Sequence, residues 1–135
     1  MKKKWGAAVY GIDPSEKAVA LANKRGVSAK VGTADELPFD TAKFDIVIFG
    51  FCLYLCDRED LFTIASEADR VLKDSAWIII HDFFSKQPVK TPYHHVEGVF
   101  TYKMDCRKIH FNHSSRNEDF CLPRLKSCHR SVFVC

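Results

Sequence analysis

The sequence of 135 residues lacks any apolar run close to the roughly 18 residues needed to cross a membrane, so it does not predict an integral membrane protein. It also lacks a strong charge imbalance. A formal net charge of +3 does not predict a nucleic-acid partner or an acidic membrane surface. Three lysines and a short apolar run near the start imitate a secretion signal, but no small-residue cleavage site follows. At 47% hydrophobic and 27% charged, the composition is typical of one globular domain.

The six cysteines do not follow the pattern of a small disulfide-stabilised secreted fold. Cys52 and Cys56 lie in an apolar segment, and the other four fall within residues 105–135. We therefore expect a reducing, cytoplasmic location. Residues 1–104 carry equal numbers of basic and acidic side chains, whereas residues 105–135 carry six basic and three acidic ones. This shift predicts a domain over 1–104 and a basic tail over 105–135.

The tail contains cysteines and histidines whose spacing is poor for zinc. Structural zinc sites usually combine two tightly spaced ligand pairs. The candidates here do not form two such pairs: His110, His113, Cys121, Cys128 and His129. We expect no metal site.

Apolar runs over 7–12, 28–33, 44–50 and 76–83 predict four strands. Between them, helical spacing predicts one helix capped by Asp13 and ended by Gly26, and a second capped by Asp57. Pro14 and Glu16 complete the first cap in this interpretation. The residues expected to face the sheet are Ala18, Leu21, Ala22 and Arg25 in the first helix, and Leu61, Ile64, Ala65, Ala68, Val71 and Leu72 in the second.

Strand–helix–strand units with short connections favour right-handed crossovers and a parallel sheet. The predicted fold class is therefore α/β, Rossmann-like and doubly wound, over residues 7–83. Beyond it, we expect a loop over 86–92 and one more strand over 96–103.

Ligands of open parallel sheets bind outside the carboxyl ends of the strands. Asp13, Asp35 and the pair His81 and Asp82 stand at predicted strand ends. A carboxylate after one strand can accept hydrogen bonds from ribose hydroxyls, and a second acid one strand over can accept from the amine of a base. The alternative for Asp13 is a helix cap alone, although the two roles are compatible.

Four segments in register carry a resemblance to a known family. Residues 9–15 (VYGIDPS), 32–39 (GTADELPF), 44–47 (FDIV) and 70–73 (RVLK) resemble the class I S-adenosylmethionine-dependent methyltransferases of the small-molecule type. The resemblance implies S-adenosylmethionine as cofactor, with Asp13 on the ribose, Asp35 on the adenine amine and the sulfonium near the end of the third strand. The residues it assigns to the cofactor are Ile12, Asp13, Asp35, Glu36, Leu37, Phe49, Gly50 and Phe51.

Two departures from the family pattern affect these expectations. No G-x-G-x-G turn precedes Asp13, and in the family the strand that carries it lies between the strands ending at Asp13 and Gly50. We therefore expect an N-terminally incomplete sheet, whose open central edges lead to self-association or to closure of the gap. Asp74, Ser75 and Ala76 also replace the Pro-Gly-Gly turn of the family, at some cost in strain.

The chemistry is expected at His81, a candidate general base with Asp82 and Tyr54 behind it. The alternatives are a strand-end histidine satisfied by its neighbours and, for Phe51 and Tyr54, plain core packing. His94 and His95 are further candidates to face an acceptor from a loop. The favoured function is methyl transfer to a small molecule. The alternative is a non-catalytic interaction module whose open sheet pairs with another chain.

Overall fold

The computed structural model describes residues 8–105 and, for the backbone, residues 132–134. The two helices are α1 (Glu16–Lys24) and α2 (Leu61–Val71), and a 3₁₀ turn covers Leu53–Leu55. The strands are β1 (Tyr10–Asp13), β2 (Ser28–Val31), β3 (Phe44–Gly50), β4 (Leu72–His81), β5 (Val89–Pro92), β6 (Phe100–Lys103) and β7 (Val132–Val134). Among these elements, neither helix is long and apolar enough to cross a membrane.

The main sheet has the strand order β2-β1-β7-β3-β4. β1 and β2 pair in parallel, as do β3 and β4, with α1 and α2 as crossover helices. This confirms the predicted Rossmann-like α/β class. β5 and β6 form a separate antiparallel hairpin, so the expectation of a loop over 86–92 is wrong for Val89–Pro92.

The centre of the sheet differs from the expectation of open edges or of a closed gap. β7 lies between β1 and β3 and runs antiparallel to both. Gly11 and Ile48 are opposite the same residue, Phe133, from the two sides. Residues from the tail thus supply a central strand, which the lack of clear periodicity over 105–135 did not predict.

Helix α2 covers one face of the sheet, as predicted. Its spacing places five buried side chains on one stripe: Leu61, Ile64, Ala65, Ala68 and Val71. Leu72, directly after the helix, is buried as well. They join one hydrophobic cluster with Val47 and Phe49 of β3. Burial of this stripe is the main reason why an eleven-residue helix is stable here.

The start of α1 corrects the expected cap. Ser15, not Asp13, is the N-cap residue, and its Oγ accepts a hydrogen bond from the Ala18 backbone N–H at 3.3 Å. Asp13 does not bond to the first turn of the helix in this way. Its Oδ1 accepts from the backbone N–H of the cap residue Ser15 itself, at 2.7 Å. The helix ends before Gly26, whose φ of +81° is the left-handed conformation expected of a C-terminal glycine.

The predicted inner face of α1 is only partly correct. Val19 is its buried residue, whereas Leu21 is 49% exposed and Arg25 is exposed. The four predicted positions instead line a small cavity of about 170 Å³ between α1 and β1. A nine-residue helix at the β1–β2 end of the sheet therefore packs less tightly than α2.

The structure also bears on three further predictions, which concern the cap of α2, the turn at Ser75 and the cysteines. Asp60 rather than Asp57 precedes α2, and Ser75 takes a φ of +63° in the turn where the family has glycine. Cys52 is buried, and Cys56 is disulfide-bonded, contrary to the expectation from the cysteine spacing. The cytoplasmic location and the domain boundary at residue 104 stay predictions. The histidines and cysteines considered for zinc lie outside the described residues.

Candidate functional site

The carboxyl ends of β1 and β2 lie side by side. Asp13 at the end of β1 is opposite Val31 at the end of β2, and the Gly32 backbone N–H donates to the Asp13 carbonyl oxygen at 3.2 Å. This register brings the segment 32–37, which contains Asp35, next to Asp13. The sequence prediction that the two acids stand at neighbouring strand ends agrees with this arrangement.

The Asp13 side chain is half-buried and held in place by its bond from Ser15. Ser15 caps α1, so the predicted cap role of Asp13 is wrong. The role of Asp13 on a ribose stays a prediction.

The segment after β2 mixes buried and accessible side chains. Asp35 is half-buried, Glu36 is exposed, and Leu37 is buried in the same cluster as Ile12. Ile12 and Leu37 therefore pack as core residues beneath the site, as a buried strand requires in any case. Asp35 and Glu36 are the side chains of this segment that reach solvent.

An ion pair on α2 holds the segment from below. Glu67 Oε1 accepts from Arg70 Nε at 2.7 Å, and Glu67 Oε2 accepts from the Leu37 backbone N–H at 2.8 Å. The Arg70 guanidinium also donates to the carbonyl oxygens of Leu37 and Phe39, at 2.9 and 2.7 Å. The backbone after Asp35 is thus fixed to α2 by three hydrogen bonds, which involve Leu37 and Phe39.

The electrostatics of this pair are mutually stabilising. The hydrogen bond from Arg70 is the main reason that the pKa of Glu67 lies below its usual value of 4.5, and the N–H of Leu37 adds to the effect against the cost of burial. The pKa of Arg70 is raised by the same contact. In the sequence, Arg70 stands out only as part of the segment 70–73, and Glu67 belongs to none of the matching segments. Their spacing of three residues on a predicted helix is the sequence signal for an ion pair.

The end of β3 carries the residues expected near a sulfonium. Phe49 is completely buried in the core, so its side chain packs inside the sheet instead of lining an open pocket. Phe51, beyond Gly50, adopts a φ of +52°, and its backbone N–H donates to the His81 carbonyl oxygen at 2.8 Å. A left-handed conformation in a large non-glycine residue is strained, and such strain is concentrated at functional sites.

Aromatic rings meet at the carboxyl ends of β3 and β4. The Phe51 ring centroid lies 4.4 Å from that of His81 and 5.3 Å from that of Phe83. Phe83 in turn contacts the buried ring of Tyr54 edge to face at 4.9 Å. Phe51 and His81 remain exposed, whereas Tyr54 is part of the packed interior.

Asp82 ties β4 to the 3₁₀ turn. Its Oδ2 accepts from the Tyr54 backbone N–H at 3.1 Å, and its Oδ1 accepts from the N–H of Phe83 at 2.7 Å. Burial raises the pKa of Asp82 above its usual value of 3.8, although these N–H donors and the neighbouring His81 oppose the effect. Asp82 therefore organises the backbone around Tyr54, and the contact to Tyr54 is made through the main chain.

A cavity of about 570 Å³ opens beside this end of β4. Its lining is mostly apolar and includes two carboxylates: Ile78, Ile80, Asp82, Phe83, Phe84, Met104 and Asp105. The volume lies in the range of small-molecule pockets. His94 and His95 are exposed between β5 and β6 and do not line it. Within residues 8–105, no three potential metal ligands lie close enough together to hold an ion.

Comparisons with known proteins agree with this architecture. A family model described as a methyltransferase domain matches residues 1–80. Among solved structures, PH0226 protein from Pyrococcus horikoshii OT3 is 32% identical with a TM-score of 0.55, over 63% of this chain and 40% of that one. MccD protein is 29% identical with a TM-score of 0.55, over 65% of this chain and 41% of that one. The chain thus spans about two fifths of the length of these relatives. A search of curated proteins found no match.

Proposed function

The chain belongs to the class I methyltransferase family, and from this premise we propose that it takes part in S-adenosylmethionine-dependent methyl transfer to a small-molecule acceptor. The proposal assigns the adenosine half of the cofactor to the carboxyl ends of β1 and β2. The Asp13 carboxylate accepts hydrogen bonds from the ribose hydroxyls, and the Asp35 carboxylate accepts one from the adenine amine. The acceptor lies in the cavity beside β4.

One observation carries the proposal: Asp13 ends β1 beside β2, and Glu67 and Arg70 hold the segment that follows β2 in place. A preformed pair of acids on fixed backbone is what recognition of a nucleoside requires. Ile12 and Leu37 supply the apolar floor beneath the adenine. The residues present therefore fit the adenosine half.

The methionine half finds a different environment. No G-x-G-x-G turn occurs in the sequence, and the central position of the sheet holds β7, which runs antiparallel. Since the resemblance assigns the methionine carboxylate and amine to that turn, we expect two charge-assisted hydrogen bonds fewer to this half of the cofactor. At roughly 1.5–3 kcal/mol each, their loss weakens affinity by about two to four orders of magnitude.

The chemical step depends mainly on positioning. The cofactor supplies a methyl group on a sulfonium, and in-line transfer needs the acceptor held in one orientation. His81 does not line the cavity, so it serves as general base only for an acceptor that extends past the end of β4 to its exposed ring, while Asp82 keeps the turn around Tyr54 in place. Phe83 and Phe84, which line the cavity, exclude water from the acceptor.

A second candidate function is a non-catalytic interaction module. Its support is that β7 fills the centre of the sheet with a tail strand in place of a parallel one. In that case the cofactor edge is a remnant, and the sheet serves for association with other chains.

Titration calorimetry distinguishes these functions. We expect the chain to bind adenosine and S-adenosylmethionine with similar, weak affinity, and Asp13→Ala to lower both at least tenfold. Asp40→Ala is the matched control, because its side chain is 93% exposed and lies away from the strand ends. Absence of binding by either ligand would support the interaction module. Tight binding of S-adenosylmethionine alone would show that another element recognises the methionine half.

A further inference from the structure

β7 is an unusual element among the described strands of the main sheet. It contributes three residues, lies at the centre, and runs antiparallel to both neighbours. It pairs on one side with residues 10–12 of β1, and on the other with residues 47–49 of β3. Without β7, two inward-facing strand edges would be left unpaired at the centre of the sheet, so the position strongly favours occupation by some strand.

The connection that delivers β7 is long. β6 ends at Lys103 and β7 begins at Val132, so residues 104–131 separate them. At about 3.3–3.6 Å per residue, a chain of this length spans at most roughly 90–100 Å, several times the width of the sheet. At such a linker length, the effective local concentration of a tethered strand is in the millimolar range. The same strand of another molecule competes with it as total protein concentration approaches that range.

We propose that the groove between β1 and β3 also accepts β7 of a second copy of this chain, giving a strand-exchanged dimer. The second copy is the favoured occupant because its Val132–Val134 makes the same backbone pairs, residue for residue, as the strand of the same chain. Exchange of an identical element needs no new contact apart from the path of the connection, which makes it a low-cost route to a dimer. The proposal is independent of cofactor binding.

The test refolds the whole chain at about 5 μM and at about 500 μM and measures mass by sedimentation equilibrium, with and without reductant. We expect monomer at the lower concentration and a substantial dimer at the higher, in both buffers. In a mixture of isotope-labelled and unlabelled chains, intermolecular backbone NOEs should connect Gly11 of one copy with Phe133 of the other. A dimer lost on reduction, or one without these NOEs, would contradict the proposal, as would monomer alone at 500 μM.

Two variants separate strand exchange from ordinary surface association. Phe133→Pro removes a backbone N–H from β7 and should displace β7 from the groove in both forms, so that the exchanged dimer is lost and only a surface-associated dimer would persist. Trp77→Glu alters the outer strand β4, where the indole is 67% exposed, and should leave the dimer unchanged. The opposite pattern would place the interface on β4 and overturn the proposal. If Phe133→Pro does not fold, the NOE experiment on the unaltered chain decides alone.

A peptide competition gives a further test. An unlabelled peptide with the sequence of 130–134 should suppress the dimer by occupying the groove, and a dimer that persists in excess peptide would count against the proposal.

Discussion

Two parts of the same sheet edge are built in different ways. At the carboxyl ends of β1 and β2, Asp13 and the segment with Asp35 come from adjacent parts of the chain and are fixed by Glu67 and Arg70. One strand further, the centre of the sheet depends on β7, which arrives from the far end of the chain in the opposite direction. Contacts within the first seventy residues therefore fix the edge that we assign to the adenosine half, whereas the central position depends on a strand distant in sequence.

The largest effect is expected in the core beside β7. Phe49→Ala removes a fully buried ring from β3, and the transfer and cavity terms predict a loss of about 3–5 kcal/mol in the free energy of unfolding. Urea denaturation measures it. Phe62→Ala is the control, because its ring on α2 is 58% exposed, and it should cost less than about 0.5 kcal/mol. Equal effects of the two variants would show that β3 is not the centre of the core.

The brace on the nucleoside side should rank next. Arg70→Ala removes the donors to Leu37 and Phe39 and leaves Glu67 without its partner, for which we expect a loss of about 2–3 kcal/mol. Weaker adenosine binding should accompany it, because the segment with Asp35 is no longer fixed. Lys73→Ala is the matched control, since its ion pair with Asp45 is exposed and should contribute less than about 1 kcal/mol. A Lys73 effect as large as that of Arg70 would refute the brace.

A smaller effect concerns acid stability. The lowered pKa of Glu67 means that the folded chain binds a proton there less readily than the unfolded chain, so its stabilising contribution is complete above 4.5 and is lost as the pH falls through the native value. The stability difference between the native chain and Glu67→Gln should therefore shrink below pH 4.5. Denaturation curves across that range test this, and a difference that stays constant would contradict the ion pair.

The smallest effect has the opposite sign. Burial raises the pKa of Asp82, so the folded chain holds this proton more tightly, and the contribution of Asp82 decreases as the pH rises above 3.8 towards the native value. NMR titration of the Asp82 carboxyl should give a midpoint above 3.8. A midpoint at or below that value would indicate that the N–H donors outweigh burial.

The sequence predicted the parts of the fold with strong local patterns. The run over 44–50 became β3 with the predicted limits, and the stripe from Leu61 to Val71 became the buried face of α2. Local competition explains the errors at caps. Ser15, two residues after Asp13, caps the N-terminus of α1 itself, and the Asp13 carboxylate accepts from the Ser15 N–H.

Contacts distant in sequence could not be predicted. Glu67 meets Leu37 across thirty residues, and β7 meets β1 across more than a hundred, so neither leaves a periodic signal. A three-residue strand is also too short to show alternation. The site residues named from the resemblance are at the expected strand ends, but burial of Ile12, Leu37 and Phe49 only becomes visible once the layers are packed.

Backbone chemical-shift mapping tests the central claim most directly. Saturating adenosine should shift the amides of residues 12–15 and 32–37, and S-adenosylmethionine should shift the same set by similar amounts. This result would show a nucleoside site that operates beside a central strand unable to recognise the methionine half. Additional shifts at 49–51 and 132–134 with S-adenosylmethionine alone would contradict the account, because they would place the methionine half against β3 and β7.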